Sequence, residues 1–435
     1  MKNSCGISAV KHILIIILVL IVLHPDEIKS QFAYGADVSW LSQMESYGYI
    51  FKDNAGIQKD CLDILKGKGI NALRFRVWVN PANNFNNKKD VAYMAARAKS
   101  KGFDVMIDFH MSDSWADPGK QTKPAAWSAH SVSQLQTDIY NHVYSVLDTL
   151  KSVGVTPKWV QIGNETNNGM LWEDGKASSS MSNFAAFIKS GYNAVKAVDN
   201  SIQAIVHLSN GYDNSMYRWL FDGLKNNGAK WDIIGMSVYP YGSNYSWQVY
   251  NSSAFINMAD ITSRYNTKVM VCEAGYPYNL ALEANQYLTD LITKTKFAGG
   301  LGVFYWEPQS YNWQNYSLGA WDPVTKQPTA ALDAFLTASP VSVNSEKIIT
   351  DYKFDIYPNP FNPSTTIQYI IPEASRVLII INDVIGREVA RLEDVFKSAG
   401  NYSITWTAKN IPSGIYFCRL ISQKYSVTKK IVLLK

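Results

Sequence analysis

The chain has 435 residues, enough for more than one domain. Its net charge is +5, with about +1 on residues 1–31 and about +4 on residues 341–435; the long stretch between is near neutral, and no nucleic-acid partner is indicated. Aromatic residues make up 13% of the chain, with 13 Trp and 26 Tyr, a surplus over core needs that suits the apolar faces of sugars.

The first segment reads as a targeting signal. Lys2 and Lys11 precede the apolar run ILIIILVLIVL (13–23), which is well short of the roughly 20 residues that span a bilayer. The polar HPDEIKS then leads to a cleavage site after Ser30, so residues 1–30 are expected to be removed. Four cysteines are present. Cys5 leaves with the signal, and Cys61, Cys272 and Cys418 are too few and too scattered for a disulfide framework. They read as small buried residues.

From Phe32 to about Leu336, strand-like and helix-like patterns alternate. The strand runs are FAYGADVSW (32–40), NALRFRVWV (71–79), DVMIDFHMS (104–112), KWVQIGNE (158–165), QAIVHLSN (203–210), WDIIGMSVYP (231–240), KVMVCEAG (268–275) and LGVFYWEP (301–308). Helical patterns fall at 57–69, closed by Gly69, and at 132–154, closed by Gly154, with others near 181–198, 283–296 and 327–337. Eight strand runs at a steady spacing, with helical patterns between them, suggest a (β/α)8 barrel, a TIM barrel in the α/β class. The rival is a doubly wound open sheet, which is weakened because no Gly-rich phosphate turn follows the first strand.

In such a barrel, catalytic groups gather at the carboxyl ends of the strands. Those ends are chemically loaded here. The second strand carries Arg74, Arg76 and Trp78, and the third Asp108 and His110, followed by Asp113 and Trp115. The fourth ends in Asn164-Glu165, the fifth carries His207 and Asn210, the sixth Tyr239, the seventh Glu273 and the eighth Trp306-Glu307. The opposite ends, such as Lys101-Gly102, look like plain turns. Hydrolysing a glycosidic bond takes two carboxyl groups, one to protonate the leaving oxygen and one to attack the anomeric carbon or activate water. Strands four and seven face each other across a barrel mouth, so Glu165 and Glu273 would enter one cleft from opposite sides.

Other residues have blander readings. Glu307 reads as a buried carboxylate paired with Arg74 or Arg76 rather than as the second acid. His110 lacks the two-His spacing of a zinc site and reads as a substrate or hydrogen-bond residue. His207 reads as a satisfied core histidine. Arg74 and Arg76 share one face of a strand, either the lumen or the helix side, and must pair with carboxylates if buried.

GADVSW (35–40), LRFRVWVNP (73–81), IDFHMSDSWADPGKQTKPAAW (107–127), VQIGNETNNGMLW (160–172), MSVYPYG (236–242) and VFYWEP (303–308) resemble family 53 glycoside hydrolases, arabinogalactan endo-β-1,4-galactanases of clan A. The resemblance covers about 300 residues, from near Tyr34 to near Leu336. It implies a (β/α)8 catalytic domain over 31–338 that cuts β-1,4-galactan with retention. Glu165 would be the acid/base and Glu273 the nucleophile. Asn164 would bond the sugar 2-hydroxyl, Arg76, His110 and Tyr239 would line the cleft, and Trp306 would form its stacking floor. Asp113 and Trp115 complete the expected substrate-binding set. Glu165 should have its pKa raised by the Glu273 charge, and Tyr239 and Arg76 should keep Glu273 ionised. Many bacterial relatives carry an acidic calcium loop after the seventh strand. EAGYPYNLALEANQ (273–286) offers only Glu283 beyond Glu273, so no metal and no cofactor are expected. The stretch 309–325 also departs from the family pattern. Rival substrates are other β-1,4-glycans, mannan or glucan, and the rival class is a non-catalytic glycan-binding surface protein.

ASPVSVNSEK opens a polar linker, taken as 339–350. Residues 351–435 alternate apolar and polar positions between Gly, Pro and Asn turns, as a small β-sandwich does. YPNPFNPST, the DVIGREV turn and SGIYFCRL…KKIVLLK resemble C-terminal sorting domains of type IX secretion cargo. The resemblance implies that the secretion machinery is a partner and that the protein crosses the periplasm to be secreted or held at the cell surface. A carbohydrate-binding sandwich is the alternative, but Tyr369, Trp406, Tyr416 and Phe417 look like core. A monomer is expected.

Overall fold

The computed structural model describes residues 31–337, 353–371, 375–397, 400–422 and 425–435. The segment read as a signal (1–30) and the linker (339–350) lie outside the described residues.

Each expected strand forms: β1 (Ala33–Asp37), β2 (Ala72–Val77), β3 (Asp104–Phe109), β4 (Trp159–Ile162), β5 (Gln203–Leu208), β6 (Ile233–Val238), β7 (Lys268–Ala274) and β8 (Gly302–Trp306). They pair in parallel, each with its neighbours in the chain, and β1 closes the ring against β8. Closure excludes the open doubly wound sheet.

Two faces are set by the two-residue period of a strand. Outward residues such as Leu73, Phe75, Ile107, Val160, Val206, Met236 and Val303 join the helices in one large core. Inward residues build a layered lumen. Ala33, Ala72, Met106, Trp159, Ile205, Ile233, Met270 and Phe304 form an apolar plug at its base. One step further along the strands come Asp37, Arg74, Asp108, Gln161, His207 and Ser237, all buried. Arg74 and Arg76 therefore face the lumen. Gly35 sits inward on β1 because a Cβ there would lie 2.1 Å from the Phe304 ring that fills the plug.

Strand β7 breaks the period. Val271 aligns with Met236, but the next pair is Ser237 with Glu273, so one residue is skipped; a shift also separates β7 from β8. This β-bulge turns both Cys272 and Glu273 inward, where strict alternation would place Glu273 on the helix side.

The helix at 132–152 starts with a Ser131–Gln134 capping box. The pattern at 57–69 yields a shorter helix, Cys61–Gly67, because Asp60 caps it and Gln58–Lys59 pairs with Phe51–Lys52 in a small hairpin. Four helices, Leu41–Ser46, Lys88–Ser100, Asn214–Asn226 and Trp247–Tyr265, fall outside the helical patterns of the sequence. The last buries Asn251 and Asn257, which interrupt its apolar stripe. Their amides donate to backbone oxygens of Tyr287 (3.1 Å) and Gly211 (2.8 Å).

Beyond the linker, β9 (Lys353–Tyr357), β10 (Ser364–Ile371) and β13 (Gly400–Thr407) form one antiparallel sheet. β11 (Ser375–Asn382), β12 (Glu388–Lys397), β14 (Gly414–Ile421) and β15 (Ser426–Leu433) form the other. Alternating inward residues make the core between them, including Ile367, Ile379, Ile381, Leu420 and Ile431. Tyr369, Trp406 and Tyr416 belong to it; Phe417 does not, because the alternation of β14 puts it on the outer face, half-buried. Cys61, Cys272 and Cys418 are unpaired and buried.

Candidate active site

A cleft of about 340 Å3 opens at the carboxyl ends of the strands, lined by His110, Trp115, Ala116, Asp117, Asn164, Glu165, Tyr239, Glu273, Trp306, Tyr316 and Leu318. Its organising residue is Arg74. Burial makes a bare guanidinium costly, and five side chains offset that cost. Nη1 donates to Asp37 at 2.6 Å, Nη2 to Asp108 (2.9 Å) and Glu273 (2.9 Å), and Nε to the Gln161 amide oxygen (2.9 Å). Asn164 Oδ1 also accepts from Nη2 at 3.1 Å.

Glu273 thus accepts from Arg74 on Oε1 and from the Tyr239 hydroxyl on Oε2 at 3.2 Å. The guanidinium beside it is Arg74, not Arg76 as expected. Arg76 lies beneath the cleft wall, 1% exposed. It stacks on Trp115 at 4.0 Å and on Trp78 at 4.7 Å, with Glu307 3.6 Å away. It is not among the residues that line the cleft. Glu307 accepts the Trp40 N–H on both oxygens (3.1 Å) and the Gln309 amide (2.6 Å), a structural setting.

Glu165 sits on the other side with φ at +44°, a left-handed backbone that costs a non-glycine residue energy. The following residue pins this turn, with Thr166 N–H donating to the His207 carbonyl at 2.9 Å. The Glu165 carboxyl accepts from the Ser237 hydroxyl at 2.6 Å.

Burial pushes Glu165 up to about 7, and Glu273 is not among the leading causes. Burial, opposed by Arg74 and reinforced by the Glu165 charge, pushes Glu273 up to about 8. Two such carboxyls hold one proton between them near neutrality. The donors place that proton on Glu165. A guanidinium can only donate, so Arg74 favours a carboxylate on Glu273, whereas Glu165 has one hydroxyl. Burial would likewise push Asp108 up, yet Arg74 and His110 hold it at about 2.

His110 lines the cleft with its ring, but both nitrogens are committed: Nε2 to Asp108 (2.9 Å) and Nδ1 to the Ala116 N–H (3.0 Å). Asn164 donates one amide hydrogen to the Ala116 carbonyl (2.9 Å), which leaves the other for the cleft. Trp306 meets Trp40 at 4.9 Å, Trp115 at 5.9 Å and Tyr316 at 4.8 Å, forming an aromatic wall. Asp113 does not join the cleft. Its oxygens accept the backbone N–H groups of Asn80 (3.0 Å) and Ala125 (2.8 Å), which fixes the loop that carries Trp115.

Sequence reasoning missed Asp37, Gln161, Ser237, Asp117 and Tyr316. A charged or amide residue inside an otherwise apolar strand was the available signal for Asp37 and Gln161. Tyr316 lies in an Asn- and Gln-rich loop that carries no pattern.

The sequence model described as glycosyl hydrolase family 53 matches residues 33–334, most of the chain and the whole barrel. The chain belongs to this family. A probable arabinogalactan endo-β-1,4-galactanase A from Neosartorya fischeri is 33% identical over 314 residues, covering 66% of this chain and 86% of that protein. A solved fungal β-1,4-galactanase superposes with a TM-score of 0.65 at 27% identity, covering 70% of this chain and 99% of that one. The family 53 catalytic domain of Ignisphaera aggregans gives 0.63 at 30% identity, covering 72% and 97%. The model of a secretion system C-terminal sorting domain matches residues 355–434.

Proposed function

We propose that this family 53 enzyme is an exported endo-β-1,4-galactanase acting on the (arabino)galactan side chains of pectin by retaining double displacement. The observation that carries the reading is the pair Glu165 and Glu273, set three strands apart in one aromatic-walled cleft and unlike in their donors. Glu273, held as a carboxylate by Arg74 and Tyr239, attacks the anomeric carbon. Glu165 gives its proton to the departing glycosidic oxygen. It then takes a proton from the water that hydrolyses the glycosyl-enzyme. Asn164 offers an amide hydrogen to the 2-hydroxyl, and the Trp306 ring carries the apolar face of a galactose unit. Reducing-sugar release from a panel of galactan, mannan and glucan tests this. Galactan should be the substrate cut. Release from mannan or glucan alone would transfer the enzyme to another specificity, and binding without release would make it a glycan-binding protein.

We take 31–338 as the catalytic domain, 339–350 as the linker and 351–435 as the sorting domain, with each barrel acting as a monomer because it holds every cleft residue itself. After β7 the chain passes through the turn Tyr278–Leu280 into the helix Ala281–Phe297. Treatment with EDTA should therefore leave kcat and Tm nearly unchanged. A large loss restored by calcium would expose a metal requirement that this loop does not suggest.

Tyr369, Trp406 and Tyr416 of the sandwich lie in its core rather than displayed as a sugar platform, which supports an export role through the type IX route. Deleting 351–435 should leave galactanase activity inside the periplasm, with little at the cell surface or in the medium. Unchanged release would assign that domain another task.

A further inference from the structure

The acid/base group has a supporting side chain that also sets which of its oxygens works. The chain of hydrogen bonds starts two strands away, on β2. Arg74 Nε can only donate, and it faces the Gln161 amide oxygen at 2.9 Å. This fixes the orientation of the Gln161 amide, so its NH2 end faces Asp108 (2.8 Å) and His207 Nδ1 (2.9 Å). The Glu165 backbone N–H also points at Nδ1, at 3.4 Å. With two donors facing it, Nδ1 is the unprotonated nitrogen. Asn164 Oδ1 lies 3.0 Å from the same atom, but an Nδ1–H aimed at it would leave the Gln161 NH2 facing another donor. Burial and the Arg74 charge keep His207 neutral, so its single proton is on Nε2. Nε2 then donates to Ser237 Oγ at 2.9 Å, and the serine hydrogen is left to donate to Glu165 Oε1 at 2.6 Å.

We infer that Ser237 is a positioning residue for Glu165: held as a one-way donor by His207, it occupies Oε1 and confines the proton that Glu165 gives and takes to Oε2. This rests on Glu165 being the acid/base. Two consequences follow from the direction of the bonds. The reactive proton always leaves from the same oxygen, so the carboxyl need not rotate between the two half-reactions. Ser237 also favours the charged form, which opposes burial and keeps the group able to act as a base in the second step.

The other charged or titratable groups facing Glu165 are Arg74 from β2, Asp108 from β3 and Asp117 from the loop after it, His207 from β5, Tyr239 beyond β6 and Glu273 from β7. The Tyr217 and Tyr250 phenols face it from the surrounding helices. Among the described residues, Ser237 is the group that hydrogen-bonds its carboxyl.

The test is the pH profile of kcat/KM on a soluble galacto-oligosaccharide. In Ser237→Ala the carboxylate loses its donor, so the alkaline limb should move up by roughly one pH unit, while KM stays within about twofold. Ser237→Thr keeps a hydroxyl and should keep the limb in place. If the alanine variant does not fold, Ser237→Cys, with its weak S–H donor, should move the limb in the same direction. A merely structural serine would lower kcat/KM equally at every pH, and an unmoved limb in a folded variant overturns the inference. Azide rescue of Glu165→Ala separates the two levels. Without rescue the acid/base reading itself has failed; with rescue and an unmoved limb, only the role given to Ser237 has failed.

Discussion

Glu273→Gln should lose at least about a thousandfold in kcat on galactan while still binding it. The substitution keeps the shape of the side chain and removes the charge that attacks. The variant should fold, because Arg74 retains Asp37 at 2.6 Å and Asp108 at 2.9 Å, and the new amide oxygen can take the Glu273 place beside it. Isothermal titration with a galacto-oligosaccharide and steady-state kinetics on the same preparation check both halves. Near-normal turnover in a folded variant would move the nucleophile elsewhere. Glu307 would not be an easy successor, because it is fully buried and its oxygens are taken by Trp40 and Gln309.

Glu165→Ala should lose roughly 10²–10⁴-fold on galactan, the range for removing a general acid–base. The loss should be much smaller for the first step with an aryl β-galactoside whose leaving group needs no proton. The glycosyl-enzyme should then persist, because no base activates water. Added azide needs no base; it should attack the anomeric carbon, release the Glu273 carboxylate and yield a β-galactosyl azide. Rate acceleration and that product, read by mass spectrometry and NMR, are the expected result. An α-linked azide would mean that no glycosyl-enzyme forms.

The eight strands could be read because parallel strands buried on both faces are near-continuous apolar runs, and the polar ends stand out against them. For the same reason Glu165, Asn164 and Trp306 were legible: each terminates such a run. Glu273 was legible as a strand-end acid, but its direction was not. Alternation from Met270 would place it among the helices, and only the bulge at Cys272 turns it into the cleft. Arg74 and Arg76 show a second limit. Both face the lumen one step apart, and the sequence does not say which layer a residue occupies. Arg74 lies level with the carboxylates, whereas Arg76 lies under Trp115, so the wrong arginine was paired with Glu273. Asp113 looked like a ligand for sugar but holds its own loop, because backbone N–H groups leave no trace in a sequence. The Gln161, His207 and Ser237 chain joins three strands, and none of its members is distinctive alone.

The central claim is that Glu165 and Glu273 act as a retaining pair on β-1,4-galactan. Time-resolved proton NMR of galactan hydrolysis tests it most directly. The account predicts that new reducing ends appear first as the β-anomer, with the α-anomer growing in only by mutarotation. New ends that appear first as the α-anomer would contradict it.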